Sequence, residues 1–173
     1  ATVWRYMYSS EIGFVNGFLY AINAIDKYVV FLTREMAIEC IAIAYAWHMA
    51  PLGAFFFLAT LQTIPEDLYR AAKVDGAGPA RRFWRVTFPF LSYPTLIVLV
   101  LTTMYSASTL DVVLILTQGG PGVASEVVTY KIYTEFFRHL NLGYAAAISY
   151  LLIIIVLAIG ATYFTILTRY RRR

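Results

Sequence analysis

The chain has 173 residues, of which 60% are hydrophobic and only 14% charged, with a formal net charge of +4. That apolar share exceeds what a soluble globular domain carries and points to a membrane protein. A single cysteine, Cys40, excludes an intrachain disulfide and any cysteine-based metal site.

In chain order, residues 1–8 read as the end of a preceding helix. Residues 9–34, with Gly13, Asn16, Gly17, Asn23 and Asp26, read as an external loop holding a partly apolar, interfacial helix. The chain opens Ala1-Thr2-Val3-Trp4-Arg5 with neither an initiator Met nor a signal-peptide pattern, so the expectation is a piece of a longer protein. Three runs are long and apolar enough to cross a bilayer core of roughly 30 Å, which takes about 20 helical residues. They are predicted at 35–63, 90–117 and 143–168. The strict alternation of membrane strands is not seen, so the class is all-α.

The first run contains Pro51, which leaves the carbonyl of Trp47 without its helical donor. A packing kink and a broken helix lining a transport path both account for it. Glu39 and His48 place ionisable groups in the same run, and His48 beside Trp47 is the better pathway candidate.

Between the first two runs, residues 64–89 carry Arg70, Lys73, Arg81, Arg82 and Arg85, and the tail at 169–173 carries four more arginines. The loop at 118–142 has only Lys131 and Arg138, offset by Glu126 and Glu135. The positive-inside rule therefore places the 64–89 loop and the C-terminus in the cytoplasm, which three spans permit. Topology explains the positive charge, and nucleic-acid binding is not invoked.

Within that loop, Thr63-Ile64-Pro65-Glu66 has the form of a capping box, with Glu66 and Asp67 favoured by the helix dipole. The spacing predicts a short helix from there to Gly76, a natural C′ residue. A second short segment, Arg81 to Phe88, is expected to be closed by Pro89. Large apolar side chains among basic ones in the cytosol require either a covering protein or the membrane surface.

In the second run Thr102, Ser106 and Thr109 recur at helical spacing and are expected on one face. Such hydroxyls bond their own backbone, a neighbouring helix or a ligand. Asp111, near the outer end, reads as a functional carboxylate or as one solvated by external water. The Gln118-Gly119-Gly120-Pro121-Gly122 cluster is a turn. No phosphate-binding G-x-x-x-x-G-K-S/T, zinc-protease H-E-x-x-H or hydrolase G-x-S-x-G sequence occurs, so no residue set proposes a catalyst.

The segment Pro65 to Pro89 resembles the cytoplasmic "EAA" loop of permeases in binding-protein-dependent ABC importers. Ala71, Ala72, Asp75, Gly76, Ala77, Phe83 and Pro89 match its pattern, while Arg70 stands where that family usually has glutamate. Val3-Trp4-Arg5, Gly13 to Asn16, Trp47 to Pro51, Thr117 to Gly122 and Phe136 through Ala147 resemble the carbohydrate branch, of the maltose-permease type. The resemblance implies a polytopic helical bundle in a prokaryotic inner membrane, with roughly the first half absent from this chain.

It further implies a second homologous permease, two cytosolic ATPase subunits that bind ATP and Mg, and an extracytoplasmic sugar-binding protein as partners, with no cofactor or catalysis in this chain. The coupling contact would fall on Glu66, Leu68, Tyr69, Arg70, Ala71, Ala72, Asp75, Gly76, Ala77, Phe83 and Pro89. The sugar path would fall on Trp47, His48, Met49, Leu52, Thr102, Ser106 and Thr109. An ion-coupled transporter or channel subunit is the competing reading.

Overall fold

The computed structural model describes residues 1–171, with side chains to Ile166; Arg172 and Arg173 of the basic tail lie outside the described residues. Its elements are helices: α1 (Thr2–Met7), α2 (Phe14–Ala21), α3 (Ala37–Thr63), α4 (Glu66–Val74), α5 (Pro79–Ala107), α6 (Asp111–Leu116), α7 (Val128–Tyr133) and α8 (Leu142–Arg171). Helices α3 and α5, together with Leu142–Ile166 of α8, are long and apolar enough to cross a membrane. Along α8 the side chains of Leu151, Ile153, Ile154, Ile155 and Leu157 are all exposed. Such an uncovered apolar surface suits a hydrocarbon surrounding rather than water.

The chain forms two compact units. The first comprises Ala1–His48 and Ser106–Val156. Its core is Tyr8, Phe31, Cys40, Ile41, Ala44, Val112, Val113, Leu116 and Tyr130. The Tyr8 hydroxyl donates to the carbonyl of Cys40 at 3.2 Å, which ties α1 to the start of α3. The external segment is pinned by Asn16, whose side chain is fully buried. Its amide nitrogen donates to the carbonyl of Val29 and its amide oxygen accepts from the Val29 N–H, both at 2.9 Å. This reciprocal pair satisfies backbone groups that would otherwise be orphaned in a loop. After α6, buried Ser125 places its hydroxyl 2.7 Å from both Thr117 Oγ1 and the carbonyl of Gly120, closing the glycine-rich turn. Helix α7 then runs into a π-helical turn, Thr134–Arg138.

The second unit comprises Met49–Tyr105 and the chain from Leu157 onward. Helix α3 continues through Pro51 without interruption. Tyr163 meets Thr103 at 3.4 Å through their hydroxyls.

Three local expectations are corrected here. The second span does not run over 90–117: α5 begins at Pro79 and ends at Ala107, and the chain turns at Ser108–Leu110 before α6. Uninterrupted apolarity cannot reveal that turn, because the Thr109 carbonyl is satisfied by the Thr129 hydroxyl, a tertiary partner. Thr109 consequently lies beyond the helix and does not share a helical face with Thr102 and Ser106.

Pro89, in turn, does not close a separate segment. It sits in the helix just after a π-helical turn, Phe83–Thr87, in which the Phe88 N–H reaches back to the Phe83 carbonyl. The wider turn accommodates the missing donor and the ring. Thr63, finally, does not cap α4. It ends α3 with its hydroxyl on the Thr60 carbonyl at 2.8 Å, and Pro65 takes the N-cap position with extended backbone and no side-chain cap.

Candidate functional site: a capped loop helix and an indole-lined cavity

Helix α4 forms because Glu66 and Asp67 occupy its first turn and Lys73 its last, both favoured by the helix dipole. Its C-terminus is a Schellman motif. Gly76 adopts φ +72°, its N–H bonds the Lys73 carbonyl at 3.0 Å, and the Ala77 N–H bonds the Ala72 carbonyl at 2.9 Å. A side chain at Gly76 would meet no neighbouring atom but would be strained by the left-handed backbone.

The polarity of the rod is asymmetric. Tyr69 is half-buried and its hydroxyl shares a 2.9 Å hydrogen bond with Thr87, a buried residue of α5. Part of this side chain is therefore committed to the chain's own fold. Arg70 faces out and pairs with Glu66 at 3.4 Å and Asp67 at 3.6 Å, so the departure from the EAA pattern is internally neutralised on the helix surface. Leu68 and Val74 are exposed, Val74 to 89%, and Phe83 is exposed where α5 begins. Between α4 and the start of α5 lies a cleft of about 270 Å³, bordered by Leu68, Ala72, Asp75 and three arginines, Arg81, Arg82 and Arg85.

The first unit contains a second concavity, of about 460 Å³, lined by Trp4, Met7, Ala44, Trp47, His48 and Asp111. Trp47 is 72% exposed and stands edge-on to Trp4, with ring centroids 6.3 Å apart. Two indoles, an imidazole and a carboxylate around an apolar floor can cover the faces of a sugar ring and hydrogen-bond its hydroxyl groups. Of the expected path residues, the structure brings Trp47 and His48 to this cavity. Ser106 and Thr109 belong to the same unit without bordering it, while Met49, Leu52 and Thr102 belong to the other unit. The Thr102 hydroxyl donates to the Val98 carbonyl at 2.8 Å, which is a backbone role. Nothing local in the sequence marks Trp4 for this cavity, because its place beside Trp47 depends on tertiary packing; Asp111 stands out in the sequence as an ionisable group near a span end, but its neighbours are set by the fold.

Within the first unit, Lys131 lies 3.1 Å from Glu135, and His139 lies 3.3 Å from the same carboxylate. The hydrogen bond from Lys131, and then that from His139, hold the Glu135 carboxyl below its usual range, and the same contact raises Lys131. This network braces the π turn after α7.

Residues 14–170 match the family model of the binding-protein-dependent transport system inner membrane component. The sn-glycerol-3-phosphate transport system permease protein UgpA of Agrobacterium fabrum is 36% identical over 163 residues, covering 94% of this chain and 55% of that protein. The sulfoquinovosyl glycerol transport system permease protein SmoG of the same organism is 30% identical over 165 residues, covering 95% and 53%. Among solved structures, a bacterial ABC transporter involved in the import of the acidic polysaccharide alginate superposes with a TM-score of 0.83 at 22% identity, over 96% of this chain and 58% of that one; at such identity the likeness is one of fold. The chain spans about half the length of the curated relatives it matches. By its sequence match from Phe14 onward, the chain belongs to the family of binding-protein-dependent transport system inner membrane components.

Proposed function

We propose that this chain is the membrane-spanning permease part of an ATP-driven importer that takes up a sugar, a di- or oligosaccharide, delivered by an extracytoplasmic binding protein. The observation that carries this reading is α4: a rod capped at Gly76 that leaves Leu68 and Val74 uncovered outside the spanning helices. Exposed apolar groups on a rigid element in water call for a protein partner, and a cytosolic ATPase subunit is the partner this family's role supplies.

A second permease would complete the path, and ATP with Mg would be bound by the ATPase pair. Closure of that pair would move α4 as a rigid body and switch the path between its two openings. The positive-inside distribution supports a cytoplasmic α4 and C-terminus. The indole-lined cavity is the surface offered to the sugar, with Trp47 covering a ring face and His48 and Asp111 meeting hydroxyl groups.

Purification of the intact complex should recover an ATPase whose activity rises with sugar-loaded binding protein; its absence refutes the reading. Gly76→Val strains the cap by about 1–2 kcal/mol. It should suppress that stimulation while the chain still inserts and assembles, and unchanged stimulation would count against docking through α4. Trp47→Ala should lower uptake with ATPase assembly intact.

A further inference from the structure

The cleft beside α4 has a charge imbalance that the coupling role does not use. Arg81, Arg82 and Arg85 border it against one carboxylate, Asp75. Arg70 is no part of that balance, because Glu66 and Asp67 already engage it. Among the described residues no ion pair holds Arg81, Arg82 or Arg85, and the Nε of Arg82 is buried with no hydrogen-bond acceptor. A buried guanidinium N–H without an acceptor in the chain is costly, and an anion is one group whose oxygens would satisfy it.

The same turns of α5 carry an aromatic patch. Phe83, Trp84 and Phe88 are exposed, Trp84 to 62%, yet pack on one another, with Trp84 and Phe88 centroids 4.9 Å apart. They stand at the start of a 29-residue helix long and apolar enough to cross a membrane. Exposed aromatics beside arginines at the end of such a helix suit the headgroup level of a bilayer, where indole rings straddle the interface and guanidinium groups pair with phosphate. A soluble anion or a partner's carboxylate would explain the arginines but not the aromatic rings next to them.

We infer that the Arg81–Arg82–Arg85 cleft binds the phosphate of an anionic phospholipid headgroup, with Phe83, Trp84 and Phe88 lying against its glycerol backbone and upper acyl chains. The cleft borders Leu68, Ala72 and Asp75 of the coupling contact, but the three arginines that would hold the phosphate lie outside that set. A lipid held there would anchor the base of α5 one turn from Thr87, the residue to which Tyr69 of α4 is bonded.

The test uses the intact complex in nanodiscs of phosphatidylcholine with and without phosphatidylglycerol, released into native mass spectrometry to read retained lipids. The wild type should keep phosphatidylglycerol in preference to phosphatidylcholine. Arg82→Gln with Arg85→Gln should weaken that retention by about fivefold per arginine, roughly thirtyfold together. Equal retention of the two lipids, or unchanged retention in the double variant, overturns the proposal. A photoactivatable phosphatidylglycerol on the wild-type complex supplies a readout that needs no variant. Adducts should map to residues 79–88; adducts confined to other segments, or an acidic segment of another subunit found cross-linked in the cleft, would equally overturn it. Stimulated ATPase activity, measured in parallel, reports separately on the importer reading.

Discussion

The hydrogen bond between Tyr69 and Thr87 links α4 to α5, and Tyr69→Phe removes it with little change of shape. Thr87 is buried, so its hydroxyl loses a 2.9 Å partner without free access to water. Leaving such a group unsatisfied costs about 1–3 kcal/mol, and the partial exposure of Tyr69 argues for the lower end, about 1 kcal/mol. If α4 opens locally from α5, that loss raises the opening equilibrium roughly fivefold.

Hydrogen exchange of peptides covering residues 66–77 in the intact complex reads this directly as a fall in protection. Thr87→Val should act similarly, and the double variant should lose less than the sum of the two, because both remove the same interaction. Arg70→Gln is the internal contrast. Its ion pairs are solvent-exposed, so protection should change by less than about twofold. Unaltered protection in Tyr69→Phe, or strictly additive single effects, would refute the view that this bond holds the rod in place.

Two further outcomes follow from the first unit. A Cβ at Gly119 would stand 2.5 Å from the ring of Tyr130, a buried core residue, at a backbone φ of +80°. Gly119→Ala should therefore lower the melting temperature of the complex, by strain and overpacking of about 1–3 kcal/mol, and an unchanged melt would show that the turn can yield. The lowered Glu135 carboxyl contributes stability that is present above the ordinary carboxylate range and is lost as pH falls through its folded value; the raised Lys131 ammonium contributes below its ordinary range and loses that contribution as pH rises through its own. Glu135→Gln should flatten the acid side of a melting-temperature profile, and a profile as steep as that of the wild type would remove the network from the account.

The sequence by itself determined the membrane character, the helical class and the place of the loop helix. Each depends on local quantities: lengths of apolar runs, the distribution of arginine and lysine, and the start and stop chemistry of Pro65, Glu66 and Gly76. Even there one local inference failed, since Thr63 had a nearer acceptor in Thr60 and left the cap to Pro65. The tertiary structure alone decided where the second span ends, because the turn at Ser108–Leu110 is stabilised by a hydroxyl twenty residues away in sequence, on Thr129. It alone turned Tyr69 inward, through Thr87, and brought Trp4 and Asp111 beside Trp47 and His48. Hydropathy and periodicity sum over neighbours along the chain; the partners that set these positions are distant in sequence, and only folding makes them adjacent.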